Sequence, residues 1–127
     1  MNAADCPRPP SRLPALMTGD IPPLDLVTIR ATARRALTER PQAMPRAEEI
    51  REITLTLRGH LELMLTEARE RDGQFEPGTT QWYRWTALIE RTRAELDIGS
   101  GNGLYSAFAH MQALARTTNS LADLLDE

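Results

Sequence analysis

The feature that most constrains the fold is an apolar stripe in the middle of the chain. Its members follow one another at steps of three or four residues: Ile50, Ile53, Leu57, Leu61, Met64 and Ala68. Such steps place side chains on one face of an α-helix, whereas a strand requires alternation at every second residue. The spacing predicts a helix of about 40 Å that starts with a first-turn proline at Pro45 and ends after Arg71, at Asp72 and Gly73.

A shorter helix is predicted before this one. Asp25 is suited to cap it, so the helix begins at Leu26 and runs to about Arg40, where Pro41 ends it. Its apolar face consists of Leu26, Ile29, Ala33, Ala36 and Leu37.

The first 23 residues differ in composition from the rest of the chain. They contain six of the nine prolines, which favours an extended, flexible tail over a packed element. We therefore predict a flexible Pro-rich tail over residues 1–23 and a helical bundle domain over residues 24–127. The apolar patch at residues 13–17 leaves docking of the tail as the alternative.

Two more helices are predicted towards the C-terminus. Thr79 or Thr80 caps the third, and its buried side includes Trp82, Trp85, Leu88 or Ile89, and Leu96. A glycine-rich break at residues 97–103 follows, and the last helix runs from about Leu104 to Leu125. Its inward stripe starts at Leu104 and has an apolar residue near every turn.

Four apolar stripes and no period-two alternation predict an all-α fold. Short connections make successive helices antiparallel neighbours, so the expected architecture is an antiparallel four-helix bundle. The long second and fourth helices leave a homodimer interface as a further possibility.

Composition narrows the classes of function. The chain has 127 residues and a net charge of −3, and all 15 basic residues are arginine. A mildly acidic chain makes nucleic acid an unfavoured partner, because affinity for nucleic acid usually comes from neutralising phosphates. Cys6 is the single cysteine, and neither a secretory leader nor a long apolar span is present, so we expect a cytoplasmic protein that does not enter the membrane.

Gly59 and His60 lie side by side in the middle of the long predicted helix. Glycine there costs about 1 kcal/mol relative to alanine, so the pair requires a packing explanation. We predict that Gly59 forms a notch for a neighbouring helix and that His60 is a buried structural residue. Its imidazole then needs a hydrogen-bond partner, for example Tyr105 or Thr118, whereas His110 is expected to be partly exposed.

The alternative is a binding site near both histidines. A ligand or partner site would consist of His60, His110, Trp82, Trp85 and Tyr105. No metal or other cofactor is expected, because neither histidine belongs to a Glu-x-x-His motif. Catalytic motifs such as Gly-x-Ser-x-Gly are missing from the sequence, so no catalytic residue is predicted and enzyme activity is not expected.

Two segments could bind an anion, the arginine-rich first helix and the glycine-rich run before the last helix. The first helix carries Arg30, Arg34 and Arg35, which could contact an anion or nucleic acid. The competing interpretation is that they pair with acidic residues of the second helix, namely Glu48, Glu49 and Glu52. The run Gly99–Gly103 follows a helix, which favours a linker, although the amides that begin the last helix could hold an anion.

Several short motifs resemble a family. Leu-Arg-Gly-His-Leu at 57–61, the glycine-rich break at 99–103, Ala-His at 109–110 and Leu-Ala-Arg at 114–116 resemble a small actinobacterial family, domain of unknown function 6415. The resemblance covers roughly residues 25 to 125, and Thr66 departs from it where relatives often have proline. It implies a setting in natural-product biosynthesis, the label that such proteins carry, and no catalytic residue.

These observations favour a non-enzymatic protein-interaction, regulatory or accessory protein, with a protein partner or a second copy of itself. The first alternative is a small-molecule binder or accessory enzyme of secondary metabolism with a pocket near His60 and His110. The second is nucleic-acid binding through the arginine-rich first helix.

We predict that His60→Ala lowers the free energy of unfolding, because a buried hydrogen bond and its packing are lost. Metal content should not change, since we assign no metal to this residue. Chemical denaturation measures the first effect and elemental analysis the second. Stoichiometric zinc or iron in the purified protein would contradict this interpretation.

Overall fold

A computed structural model of the chain describes residues 24–38 and 44–127. In these residues the protein is all-α, with four helices and no strand: α1 Leu26–Leu37, α2 Ala47–Asp72, α3 Thr80–Asp97 and α4 Leu104–Leu125. The all-α class is confirmed, and none of the described helices is long and apolar enough to cross a membrane. The predicted tail, residues 1–23, lies outside the described residues.

Two helix boundaries differ from the predicted ones. α1 ends at Leu37 instead of near Arg40, because Thr38 is extended (φ −60°, ψ 133°) and its hydroxyl donates to the carbonyl of Arg34 at 2.8 Å. α2 begins at Ala47 after the extended Arg46, so Pro45 precedes the helix and does not occupy its first turn. The other predicted ends agree with the structure within one residue.

Side-chain caps fix the starts of α1 and α3. The Asp25 carboxylate accepts from the backbone N–H of Thr28 at 3.1 Å, and the Thr79 hydroxyl accepts from the N–H of Trp82 at 3.2 Å. Each bond satisfies one of the N–H groups that a helix leaves unpaired at its start.

The turn between α3 and α4 depends on glycine. Gly101 and Gly103 have φ of 72° and 92°, in the left-handed region that other residues rarely adopt. The Ser106 hydroxyl donates to the carbonyl of Ser100 at 2.5 Å and holds the turn against the first turn of α4. A Cβ at position 101 would overlap this hydroxyl, so both backbone angle and space require glycine.

The core lies along α2 and α4. All six residues of the predicted stripe are buried, with at most 3% of their surface exposed. They pack with apolar residues of the other helices, chiefly Ile29, Ala33, Ala36, Trp85, Ile89, Met111, Leu114 and Leu121. α1 and α3 both contact α2 and α4 but do not contact each other, so the central pair carries the core.

α3 covers only part of α2. Arg58 of α2 donates to the carbonyl of Leu96 at 2.7 Å, which places the end of α3 beside the middle of α2. About three turns of α2, residues 47–57, therefore extend beyond α3. At the opposite end Arg71 donates to the carbonyl of Leu125 at 2.8 Å, so α2 and α4 finish together.

Leu57→Ala should lower the free energy of unfolding by about 2–5 kcal/mol, because it leaves a cavity in the centre of the core. Leu55→Ala is the matched control: residue 55 lies two positions away in the same helix but is 59% exposed. The control should change stability by less than about 0.5 kcal/mol. Urea denaturation of the two variants compares them, and equal losses would contradict the assignment of the buried face.

Candidate functional site

His60 lies between α2 and α1. It is partly buried, and its Nε2 is 3.3 Å from the hydroxyl of Thr32 in α1. The partners suggested by the sequence, Tyr105 and Thr118, were wrong. Tyr105 is 80% exposed at the start of α4, and the Thr118 hydroxyl donates to its own helix at the carbonyl of Leu114.

His60 also interacts with a charge at the start of α1. Burial lowers the pKa of the His60 imidazole, and the Asp25 carboxylate partly opposes this shift. The pKa of Asp25 is itself lowered, first by the hydrogen bond from the Thr28 hydroxyl and then by the Thr28 backbone N–H. This histidine therefore links α2 to α1 through Thr32, and burial favours its neutral form.

His110 is buried in α4, with 8% of its surface exposed, so the expectation of partial exposure was wrong. Burial is the main cause that lowers the pKa of its imidazole; the Arg58 cation lowers it further and the Glu95 carboxylate raises it. Burial thus favours the neutral form of His110, and the two nearby charges act on it in opposite directions.

The structure distributes the five predicted ligand-binding residues over separate regions. Trp85 is buried near the start of α3, where its ring centroid is 5.1 Å from that of Phe75. Trp82 is partly buried and its ring is 5.0 Å from Tyr83. His60 lies beside Thr32 of α1, His110 is buried in α4, and Tyr105 is 80% exposed at the start of that helix. A shared small-molecule pocket of these residues stays a prediction, and the described residues contain no group of three potential metal ligands.

The arginines of α1 differ in their partners. Arg30 pairs with Asp123 at 2.6 Å and with Asp126 at 3.5 Å, both at the end of α4. Arg35 lies 4.0 Å from Glu49, as the charge-pairing interpretation predicted, and Arg34 is exposed. A nucleic acid would have to displace the carboxylates from Arg30 to use this face.

Gly59 does not form the predicted notch within the chain. It is exposed, and a Cβ added there would meet no atom of residues 24–38 or 44–127 within 4 Å. The prediction was wrong because residue 59 lies on the outer side of α2, away from the other three helices. Packing among the described residues therefore gives no reason for a glycine in this helix.

An apolar groove lies where α2 extends beyond α3. It has a volume of about 410 Å³ and is lined by Ala47, Ile50, Arg51, Thr54, Leu55, Ser100, Gly103, Leu104 and Ala107. We call it the α2–α4 groove. Small residues leave space at its centre, whereas Leu55 and Leu104 stand at its edges, 59% and 40% exposed.

Sequence reasoning missed this groove. Leu104 was assigned to the inward stripe of the last helix, but no part of α3 remains at that level to cover it. The one available signal was Leu55, an apolar residue outside the stripe of α2.

The fold and the groove define a small all-α protein whose described part consists of four helices. The family of unknown function DUF6415 matches residues 27–127, so the chain belongs to this family. The predicted resemblance is thereby confirmed for the family itself. No curated protein matches the chain, and no solved structure does.

We expect stability to fall as the pH is lowered below about 6.5, the usual pKa of histidine. Burial lowers the pKa of His60 and His110 in the folded chain, so the unfolded chain takes up protons first. The two histidines contribute fully to the free energy of unfolding above the pKa that they have in the unfolded chain. This contribution is lost as the pH falls through their lower pKa in the folded chain.

Urea denaturation between about pH 8 and pH 5 measures this effect above the range where carboxylates titrate. His60→Gln and His110→Gln should each make the pH dependence shallower. A free energy of unfolding that rises on acidification over this range contradicts the argument.

Proposed function

We propose that this protein is a non-enzymatic interaction protein that binds an amphipathic helical segment of another protein in the α2–α4 groove. The observation that carries the proposal is an apolar groove with two exposed leucines at its edges. Helical segments bind in such grooves by inserting apolar residues spaced at three and four positions. The groove has Ile50 and Ala107 on its walls, so aliphatic anchors suit it.

The positive charge in the groove favours a partner that carries an acidic residue. Arg51 is the one charged residue among those that line it, and its side chain makes no ion pair with any described residue. A carboxylate beside the apolar anchors would complement this guanidinium and orient the segment. The proposed partner is therefore a helix with leucine-like anchors and one acidic residue at the edge.

The proposed setting follows from two weaker supports. The resemblance to proteins labelled for natural-product biosynthesis favours a partner from such a pathway, with the protein acting as an accessory or regulatory component. With a single cysteine the chain has no intrachain disulfide and suits a reducing compartment, so the proposed location is the cytoplasm.

The test is capture of partners from the organism that encodes the chain, with matched baits. Leu104→Asp should weaken binding by more than about tenfold, because it removes an apolar contact and places a charge in the groove. Arg51→Glu should weaken it by about threefold to tenfold through charge repulsion. Val27→Asp serves as the control, since Val27 is 80% exposed on α1, outside the groove.

A photoreactive residue at position 107 then identifies the captured segment. The proposal requires that the cross-linked peptide be an amphipathic helix with an acidic residue, and that Leu104→Asp abolish the cross-link. Capture that is equal for all three baits, or a cross-linked segment that is not helical, would show that the groove is not the binding site.

A further inference from the structure

A second cleft lies between α3 and the last turns of α4. It has a volume of about 460 Å³ and is lined by residues within 84–91 of α3 and 120–127 of α4. We call it the α3–α4 cleft. Its apolar residues are Ala87, Leu88 and Leu124. The α2–α4 groove lies at the opposite end of α4, so the two surfaces share no residue.

One charged residue of the cleft lacks an ion-pair partner within the described part of the chain. Arg84 pairs with Glu127, and Asp123 pairs with Arg30 of α1. Arg91 is exposed, and its guanidinium pairs with no described carboxylate. The cleft therefore favours an apolar ligand that also carries an acidic group.

The start of α1 lies at the edge of this cleft. Arg30, one turn after the first residue of α1, pairs with Asp123 and Asp126 near the end of α4. Asp123 also lines the cleft, so it borders both α1 and the cleft. Leu24 packs against the core just before α1. The 23 residues that precede Leu24 therefore join the bundle beside the cleft.

The segment before Leu24 has the chemistry that the cleft favours. Leu16 and Met17 belong to the apolar patch at residues 13–17, and Asp20 follows three residues after Met17. The segment thus combines aliphatic side chains with a carboxylate, as the apolar residues and the unpaired arginine of the cleft require.

The segment is also close enough to reach the cleft. Residues 20–23 include Pro22 and Pro23, and four residues of a proline-rich segment span about 12 Å when extended. The axes of packed helices are about 10 Å apart, so this span carries the chain from α1 across α4. A ligand tethered at this distance has a high effective concentration at the cleft.

We propose that residues 13–20 bind in the α3–α4 cleft of their own chain. Leu16 and Met17 pack on the apolar residues of the cleft. The Asp20 carboxylate pairs with the Arg91 guanidinium.

Binding of this segment would link two helices that the bundle leaves apart. α1 and α3 each contact α2 and α4 but not each other. The segment begins at α1, crosses the outward side of α4 and contacts α3, so it ties the two outer helices together. This inference does not rest on the proposed groove function, because the variants that test it lie outside the α2–α4 groove.

A spin label on the full chain locates the segment. Cys6→Ser removes the single cysteine, and Thr18→Cys then carries a nitroxide label next to the proposed contacts. We expect strong paramagnetic broadening of the backbone amide signals of Ala87 and Ser120 in the cleft. The amide signal of Thr54 in the α2–α4 groove should stay sharp.

Two other results of this experiment overturn the proposal. One is broadening that is equal over the whole surface or strongest outside the α3–α4 cleft. The other is broadening of the cleft signals when the label and the isotopes are placed on different chains, because the cleft would then bind the segment of a second copy.

Leu16→Asp tests the apolar contact. It should lower the paramagnetic relaxation rate at Ala87 by about tenfold, because the leucine leaves the cleft and a charge takes its place. Ala3→Asp makes the same change of charge outside residues 13–20 and should leave this rate unchanged. A rate that does not respond to Leu16→Asp contradicts docking through the apolar patch.

Charge exchange tests the ion pair. Arg91→Glu should lower the relaxation rate at Ala87 by about threefold to tenfold, and adding Asp20→Arg should restore it. Arg69→Glu, at an exposed arginine of α2, is the matched control and should have no effect. An equal effect of Arg91→Glu and Arg69→Glu, or no recovery with Asp20→Arg, overturns the assignment of Asp20 to Arg91.

Discussion

The packing of α2 against α4 is the interaction on which the rest of the structure depends. Both helices exceed 20 residues, and between them they contribute most of the fully buried large side chains. α1 and α3 contact this pair and not each other. Removing apolar volume from the central contact therefore affects every helix, whereas weakening α1 or α3 alone would leave the central pair in place.

The unequal lengths of the helices turn this core into a surface that can bind. α3 has 18 residues and ends beside Arg58, so the first turns of α2 lack a neighbour on that side. The glycine-dependent turn at residues 98–103 then returns the chain to α4 without covering the gap. A longer α3 would have buried Leu104, and the groove would have become an extension of the core.

The sequence was sufficient to predict the class of fold and which side of α2 is buried, because hydrophobic spacing reports directly on helix faces. The spacing did not show which neighbouring helix covers the residues at the edges of each buried face. His60 was correctly placed at the edge of the stripe, but its partner Thr32 depends on how α1 lies across α2. His110 was misjudged for the same reason, since its burial depends on how the other helices pack against α4. The groove depends on where one helix ends relative to another, and periodicity carries no information about that.

The outer face of α2 carries residues that do not favour a solvent-exposed helix. A solvent-facing helix gains nothing from exposed leucines at 55 and 63, and it loses stability from the glycine at 59. The two leucines lie four residues on either side of the glycine, so all three share one exposed face of the helix. Arg51 and Leu55 belong both to this face and to the groove. A helical segment bound in the α2–α4 groove would therefore also contact Leu55, which gives the first of the two exposed leucines a partner without involving Gly59 or Leu63.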